Sequence, residues 1–394
     1  MLPLAGVRVI AIEQYGAGPF GSMLLGDLGA EVIKIENPAE GGDVSRSLGP
    51  YFFASGDSQF FHAYNRNKRS ITLNLKAPGA RDVLHALVRS ADATFDNMRG
   101  DQPERLGLTY EHLKAANAKI VCAHLSAYGR EGSRKNWPGY DYLMQAEAGY
   151  LSLTGEPDGP PSRFGLSVVD QMAGVYAALA LVSGVVGARA SGVGRDIDVS
   201  LFDTALQNLS YLAVWFLNAG INQGRAPRSS HPSLTPSQLY RTKDGFIFIM
   251  CNKEKFWPIL CETIGRPEWC SRPEYKDFAA RLAHRARLTA ELDEVLSART
   301  TAEWIALFAG RVPAAPVNDV KQAMTNPLVA DEGRVRRSAH ADGEIGLLAP
   351  PIRCPGDETP CRAAPPLGSD TDQVLGELGF DGGAITRLRQ AGVV

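Results

Sequence analysis

The 394-residue sequence predicts a layered α/β fold with a Rossmann-like parallel sheet, joined to a smaller α+β domain. Three observations carry this. Short apolar runs alternate with helical stretches between residues 6 and 126, the pattern of a layered α/β architecture. The first two runs flank a single helix, and a strand–helix–strand unit of this length requires a right-handed crossover and parallel pairing. After residue 219 the character changes, because 220–236 (GINQGRAPRSSHPSLTP) is a linker with Gly, Pro and Ser throughout.

In chain order, 6–13 (GVRVIAIE) reads as a buried strand. Residues 19–28 read as a helix with Pro19 at a tolerated first-turn position, and 30–36 (AEVIKIE) as the second strand. Strands follow at 70–75, 93–96 and 120–125, separated by helices at 80–90 and 110–116. A long Ala- and Val-rich helix is expected at 167–189, a strand at 194–201 and a helix at 202–219. Beyond the linker, 239–250 (LYRTKDGFIFIM) reads as a hairpin turning at Asp244-Gly245. Amphipathic helices are expected at 256–264, 279–296 and 301–309. These place the smaller domain at 226–325, followed by a Pro-rich stretch and a final helix.

Lys and Arg number 41 against 43 Asp and Glu, a net charge of −2 that gives no electrostatic case for nucleic-acid binding. Charged residues at 21% and hydrophobic ones at 44% describe an ordinary globular chain. The six cysteines (122, 251, 261, 270, 354 and 361) form no CxxC pair, which fits a reduced, cytoplasmic enzyme. The start, MLPLAGVRVIAIE, lacks a basic n-region and a small-residue cleavage site, so no signal peptide is expected. The longest apolar run, 172–188, is short for a membrane span and is expected to be a buried core helix. The seven histidines are scattered without metal-ligand spacing, so no metal site is expected.

Gly16-Ala-Gly18-Pro-Phe-Gly21 is a literal GxGxxG between a strand and a helix, with Glu36 ending the next strand. Taken alone it predicts an NAD-binding oxidoreductase. A helix N-terminus of this kind also suits other phosphates or a plain tight turn. No Walker A loop, HExxH or Ser/His/Asp motif accompanies it.

Longer patterns point elsewhere. They are GVRVIAIEQYGAGPFGSMLLGDLGAEVIKIENP at the start, GGDVSR, NRNKRSITLNLK at 65–76 and FDNMRGDQPERLGL at 95–108. PGYDYLMQAEAGYLSLTG at 138–155, FGLSVVDQMAGVYAALAL at 164–181 and GVGRDIDVSLFDTAL at 192–206 follow, then PVNDV and PPLGSDTDQVLGELG near the end. In this order, over essentially the whole chain, they resemble the family III coenzyme A transferases (CaiB/BaiF family), which include formyl-CoA transferase and the carnitine CoA-transferases. The resemblance implies a large domain built from 1–225 and a returning segment 326–394, with the small domain inserted between. It also implies a homodimer of two interlocked protomers, with acyl-CoA and a small carboxylic acid as partners and no membrane or nucleic acid. Coenzyme A is expected as a substrate, with no tightly bound cofactor.

By the same resemblance, Asp170 in SVVDQMAG matches the nucleophilic aspartate. A carboxylate attacking an acyl-CoA thioester gives a mixed anhydride and CoA thiolate, and thiolate return gives an aspartyl-CoA thioester that the acceptor acid resolves. Such a site must exclude water and offer donors to developing oxyanions. Asp170 opens an apolar helix, whose N-terminal amides and dipole would serve it. CoA contacts are implied at Tyr15, Gly16, Ala17, Asn37, Leu73, Asn74, Lys76, Asn97, Met98, Arg99 and Arg105, with Tyr140 and Asp141 beside the nucleophile. Cations and backbone donors suit the three phosphates of CoA.

Several positions depart from the family pattern. Asn37 and Pro138 stand where some members carry a basic residue, and SSHPSLTPSQLY replaces a glycine-rich lid, leaving His231 and Ser233 to face the site from the small domain. Arg163 and Arg225 are candidates for the second carboxylate of a dicarboxylate substrate, and SVVD leans toward succinyl-CoA chemistry. α-Methylacyl-CoA racemases share the fold but use a histidine where this chain has Tyr140, and a tyrosine with a pKa near 10 is a poor base. A binding protein without catalysis is the remaining alternative.

Overall fold

The structure, a computed structural model, describes residues 1–394. It divides into two compact units: Met1–Ala148 with Phe164–Ser210 and Ala330–Val394, and Gly149–Arg163 with Tyr211–Val329. The sequence boundaries of 226 and 325 therefore lie inside the second unit, which also takes in the short stretch Gly149–Arg163.

The first unit opens with β1 (Arg8–Ile12), α1 (Ala17–Asp27), β2 (Glu31–Glu36), α2 (Gln59–Asn65) and β3 (Lys68–Thr72). It continues through α3 (Ala80–Arg89), β4 (Ala93–Asp96), α4 (Gln102–Leu106), α5 (Tyr110–Leu113) and β5 (Val121–Ser126). Next come α6 (Asp141–Glu147), α7 (Val168–Ser191), β6 (Arg195–Ser200) and α8 (Leu201–Asn208). The six strands form one parallel sheet in the order β3-β2-β1-β4-β5-β6. Strand order reverses beside β1, and in open α/β sheets the crevice at the strands' carboxyl ends at such a point receives ligands.

Nearly continuous apolar strands are what a sheet covered on both faces requires. Ile10, Ile33, Ile71 and Cys122 pack with Val83, Leu84 and Leu87 of α3 in one core. Val374, Leu375 and Ile385 from the end of the chain complete it.

The second unit carries α9 (Tyr211–Ala219), the antiparallel β7 (Ser237–Arg241) and β8 (Phe246–Met250), and α10 (Phe256–Thr263). It adds α11 (Phe278–Ala283), α12 (Arg285–Leu296), α13 (Thr301–Phe308), β9 (Ala314–Pro316) and α14 (Val320–Met324). Its core stacks Trp257 and Trp269 with Tyr240, Tyr275 and Leu288. After α15 (Pro327–Asp331), the chain forms the hairpin β10 (Val335–His340) and β11 (Gly343–Leu348), then α16 (Thr371–Glu377) and α17 (Gly382–Gln390).

Three expectations are corrected. The helix expected over 202–219 is two helices, because Ser210 adopts φ 52°, a left-handed conformation that ends α8. The helix expected over 279–296 breaks at His284, whose φ of −108° leaves the helical range. α7 is not a wholly buried core helix: Val175, Leu179 and Val186 project into solvent. It is the one helix long and apolar enough to cross a membrane by length and composition.

Candidate active site

A cleft of about 510 Å³ lies at the carboxyl ends of the strands in the first unit. Of the residues singled out in the sequence, Tyr15, Gly16, Ala17, Asn37, Leu73, Asn74, Lys76, Asn97, Met98, Arg99, Pro138, Tyr140 and Asp170 line it. Arg105 and Asp141 do not.

The loop between β1 and α1 forms one wall and is tied down at each residue. Asn97 accepts the Gln14 N–H at 2.9 Å and donates back to the Gln14 carbonyl at 2.8 Å. The Tyr15 N–H donates to Asp43 at 3.0 Å. Tyr15 sits at φ 73°, a conformation costly for a residue with a Cβ, so the surroundings must hold it. Asp43 is itself held by the fully buried Lys34 ammonium at 2.9 Å, and Lys34 also donates to the Glu13 carbonyl at 2.8 Å. A buried ion pair thus lies directly beneath the loop. The Tyr15 ring packs against Phe60 and Tyr140, with centroids 5.6 and 6.1 Å away.

Each glycine of the GxGxxG answers to an atom of this chain. A Cβ on Gly16 would lie 2.8 Å from Asp170 Oδ2, on Gly18 2.7 Å from Asn97 Cγ, and on Gly21 2.6 Å from the Gly174 carbonyl. The glycines therefore admit the Asp170 carboxylate, the Asn97 clamp and the α1–α7 crossing. Glu36 is likewise committed. It binds Arg46 at 2.6 and 2.7 Å and accepts from Ser70 Oγ at 2.6 Å. Burial would raise its carboxyl, but the Arg46 bond and the Lys34 and Arg46 charges hold it below the ordinary glutamate value. A buried, saturated carboxylate cannot bind a ribose, so the NAD reading is overturned.

Asp170 is the third residue of α7, is 8% exposed and lines the cleft. Burial, and secondarily the Asp141 charge, pushes its carboxyl up to about 7. The expectation that the α7 amides serve Asp170 is corrected. Asp141 Oδ2 accepts the N–H groups of Val169 at 2.7 Å and Asp170 at 3.0 Å, while its Oδ1 receives Gln145 Nε2 at 2.6 Å. Asp141 is therefore the cap of α7. The helix dipole stabilises Asp141, and Asp170 stands beside that charge with no donor of its own.

On the opposite side, Arg99 and Arg105 share Asp101 at 3.3 and 3.2 Å, which leaves one positive charge in excess. Asn37 caps a 3₁₀ turn by accepting the Ala39 N–H at 3.1 Å. His231, Ser233, Arg163 and Arg225 belong to the second unit. There His231 Nδ1 accepts the amides of Ser233 and Leu234 at 3.1 and 3.2 Å. Arg225 is bound to the carbonyls of Gly159 and Pro160 at 2.5 and 2.7 Å.

Sequence reasoning missed Gln14, Gln102, Ser126 and Trp137, which also line the cleft. Gln14 and Ser126 lie at the carboxyl ends of β1 and β5, where the strand-end rule would have placed them. Nothing in the sequence marks Trp137.

The profile of the CoA-transferase family III matches residues 4–371. The succinate–glutarate CoA-transferase of Agrobacterium fabrum is 34% identical over 95% of this chain and 96% of its own length. The human succinyl-CoA:glutarate CoA-transferase is 33% identical over 100% of this chain and 90% of its own. A crystal structure of a CaiB/BaiF family protein from Brucella suis, 31% identical, superposes with a TM-score of 0.83 over 96% of this chain and 99% of that one. With the parallel sheet, the strand-end cleft and the carboxylate within it, these matches establish that the chain belongs to the family III CoA-transferases, enzymes that act on CoA thioesters and carboxylic acids.

Proposed function

We propose that this enzyme moves CoA from succinyl-CoA to a small carboxylic acid, with Asp170 as the covalent nucleophile. The observation that carries the reading is a buried carboxylate in the cleft wall, approached by the Cβ-less face of Gly16. An Asp170 oxygen attacks the thioester carbonyl, the C–S bond breaks, and CoA leaves as thiolate. The thiolate then attacks Asp170 Cγ, expels succinate and leaves an aspartyl-CoA thioester. The acceptor carboxylate attacks its own way through the same two steps in reverse: it expels CoA thiolate to form a second anhydride, and the thiolate takes the acceptor's acyl carbon. Asp170 is regenerated with no net proton exchanged.

The CoA contacts are assigned to the cleft residues Tyr15, Gly16, Ala17, Asn37, Leu73, Asn74, Lys76, Asn97, Met98 and Arg99. Arg105 is assigned with Arg99 to a phosphate, on the excess charge about Asp101. Tyr140 packs on Tyr15 at the nucleophile. The relatives named for succinyl-CoA and glutarate support the donor. The apolar residues Val175, Leu179 and Val186, exposed at helical spacing along α7, support a homodimer in which a second copy covers them.

Mass spectrometry of CoA exchange tests the reading. Succinyl-CoA is mixed with a panel of carboxylic acids and with wild type or Asp170→Ala. New acyl-CoA species that disappear in the variant are expected. Exchange by a folded Asp170→Ala protein at the wild-type rate overturns the nucleophile.

A further inference from the structure

Outside the crevice lining, three side chains converge between the N-terminus of α2 and the tip of the β10–β11 hairpin. Asp57 precedes the α2 cap Ser58, His62 lies on α2 and His340 ends β10. One ligand atom from each lies within 4.8 Å of the other two. Asp57 Oδ2 stands 3.1 Å from His340 Nε2 and 3.8 Å from His62 Nε2. Phe53 walls the pair, with ring centroids 5.3 Å from His62 and 4.7 Å from His340.

His62 is the anomaly. It is 2% exposed, its Nδ1 has no hydrogen-bond partner, and 3.8 Å from Nε2 to Asp57 is too long for a hydrogen bond. A buried imidazole with one unpartnered nitrogen and the other only loosely met by Asp57 is an exception that calls for a missing partner. Metal–nitrogen bonds of 2.0–2.1 Å in a tetrahedral site put neighbouring ligand atoms about 3.3 Å apart. The two separations to Asp57 bracket that edge. A cavity of about 460 Å³ opens on Asp57 and His340, with Ser338 and Cys361 in its wall, and gives access and room for a further ligand.

We propose that Asp57, His62 and His340 bind one divalent transition-metal ion of the zinc type, which fastens the β10–β11 hairpin to α2. Two imidazoles and one carboxylate suit zinc better than magnesium or calcium, which prefer all-oxygen ligands. The fourth position faces the cavity and takes water. His340 must change tautomer. Its Nδ1 accepts the Asp342 N–H at 3.2 Å, so Nε2 carries the proton and donates it to Asp57. Metal binding moves that proton to Nδ1, which gives up the bond from the Asp342 N–H and is left 3.6 Å from Asp342 Oδ2, a carboxylate oxygen that also accepts from Ser55. A small turn of the loop would bring that carboxylate into the outer-shell position that holds a ligating histidine. The site's role is structural. α2 reaches the crevice through Phe60 and Tyr15, so the fastening also steadies the wall beside Asp170.

The test uses the full chain freed of metal by chelator dialysis. Zn²⁺ is titrated in competition with a chromophoric chelator, and bound zinc is counted by mass spectrometry. One Zn²⁺ per chain is expected, with Mg²⁺ not competing. His62→Gln and His340→Gln should each raise the Kd more than about 100-fold, and Asp342→Asn about 10–100-fold, the range for lost second-shell partners. Circular dichroism of the metal-free variants checks that they fold. Co²⁺ bound to wild type should give the intense visible absorption of a tetrahedral N/O site, a readout that needs no variant. Absence of that absorption together with no zinc uptake overturns the proposal and leaves an ordinary His–Asp hydrogen bond. Uptake unchanged in both folded histidine variants overturns it as well. These readouts are independent of CoA exchange.

Discussion

Replacing Gly16 by alanine separates catalysis from folding. The added carbon would lie 2.8 Å from Asp170 Oδ2, so the carboxylate must retreat by about 0.6 Å to reach ordinary contact at 3.4 Å. Gly16 has φ −116°, on the negative side and outside the left-handed region that only glycine favours. The obstacle is the end of a rotatable side chain, which yields cheaply. Stability should therefore change by less than about 0.5 kcal/mol, a shift of roughly 2 °C in Tm. If Asp170 is the proposed nucleophile, its displacement is another matter, because misplacement near 1 Å costs about 100-fold in rate. A fall of about 10–100-fold in kcat/KM for CoA exchange is expected at unchanged Tm. Gly21→Ala is the control: its carbon would meet the Gly174 carbonyl at 2.6 Å, and backbone cannot rotate away. Overpacking of this kind costs about 1–3 kcal/mol, so that variant should melt several degrees lower. Wild-type kcat/KM in Gly16→Ala at wild-type Tm would refute the placement of the nucleophile.

Three further outcomes are expected. A nucleophile must be ionised, so kcat/KM should rise with pH through about 7, the value at which Asp170 loses its proton. Asp141→Asn removes one cause of the elevation and should move that midpoint down; a pH–rate profile flat across this range would contradict the assignment. His124 is buried between Asp96 at 2.6 Å and Asp196 at 3.0 Å; burial opposes its charge, but the two carboxylates prevail and raise it to about 9. Its contribution is full below the unfolded value of 6.5 and lost as pH rises through about 9, so His124→Gln should lower Tm at pH 6 and much less at pH 10. Lys34→Met strips the buried Asp43 of its cation and should cost about 3–5 kcal/mol, read as a denaturant-midpoint shift. An unchanged midpoint would show that Asp43 holds the Tyr15 loop without it.

The parallel sheet was legible because its strands, buried on both faces, are continuous apolar runs such as RVIAI and EVIKIE. The β10–β11 hairpin was not, because VRRSAH and GEIGLL are mostly exposed and carry no regular alternation. The break at Ser210 was not read because a single serine, though it favours caps and turns, also occurs inside helices. In the crevice, strand-end residues were legible from family likeness, while the work of Asp141 was not. An acid at the start of α6 looks like a helper of that helix, yet its Oδ2 accepts two amides of α7, 28 and 29 residues away in sequence. The convergence of His62 and His340 is hidden for the same reason, since no local spacing records a contact across the fold.

Asp141 has a consequence for the proposed intermediates. By claiming the first amides of α7, it fixes an anionic neighbour beside Asp170 and leaves that carboxylate poorly solvated. An environment that makes a proton cling to Asp170 makes any neutral substituent cling equally. Acylation discharges the side chain, so the anhydride and the aspartyl-CoA thioester are relieved of a repulsion that the resting carboxylate suffers. The rise of its carboxyl from 3.8 to about 7, caused first by burial and second by the Asp141 charge, corresponds to roughly 4 kcal/mol against the charged form. In the proposed cycle the ionised Asp170 is thereby the costly form, and each acylated form of it is spared that cost.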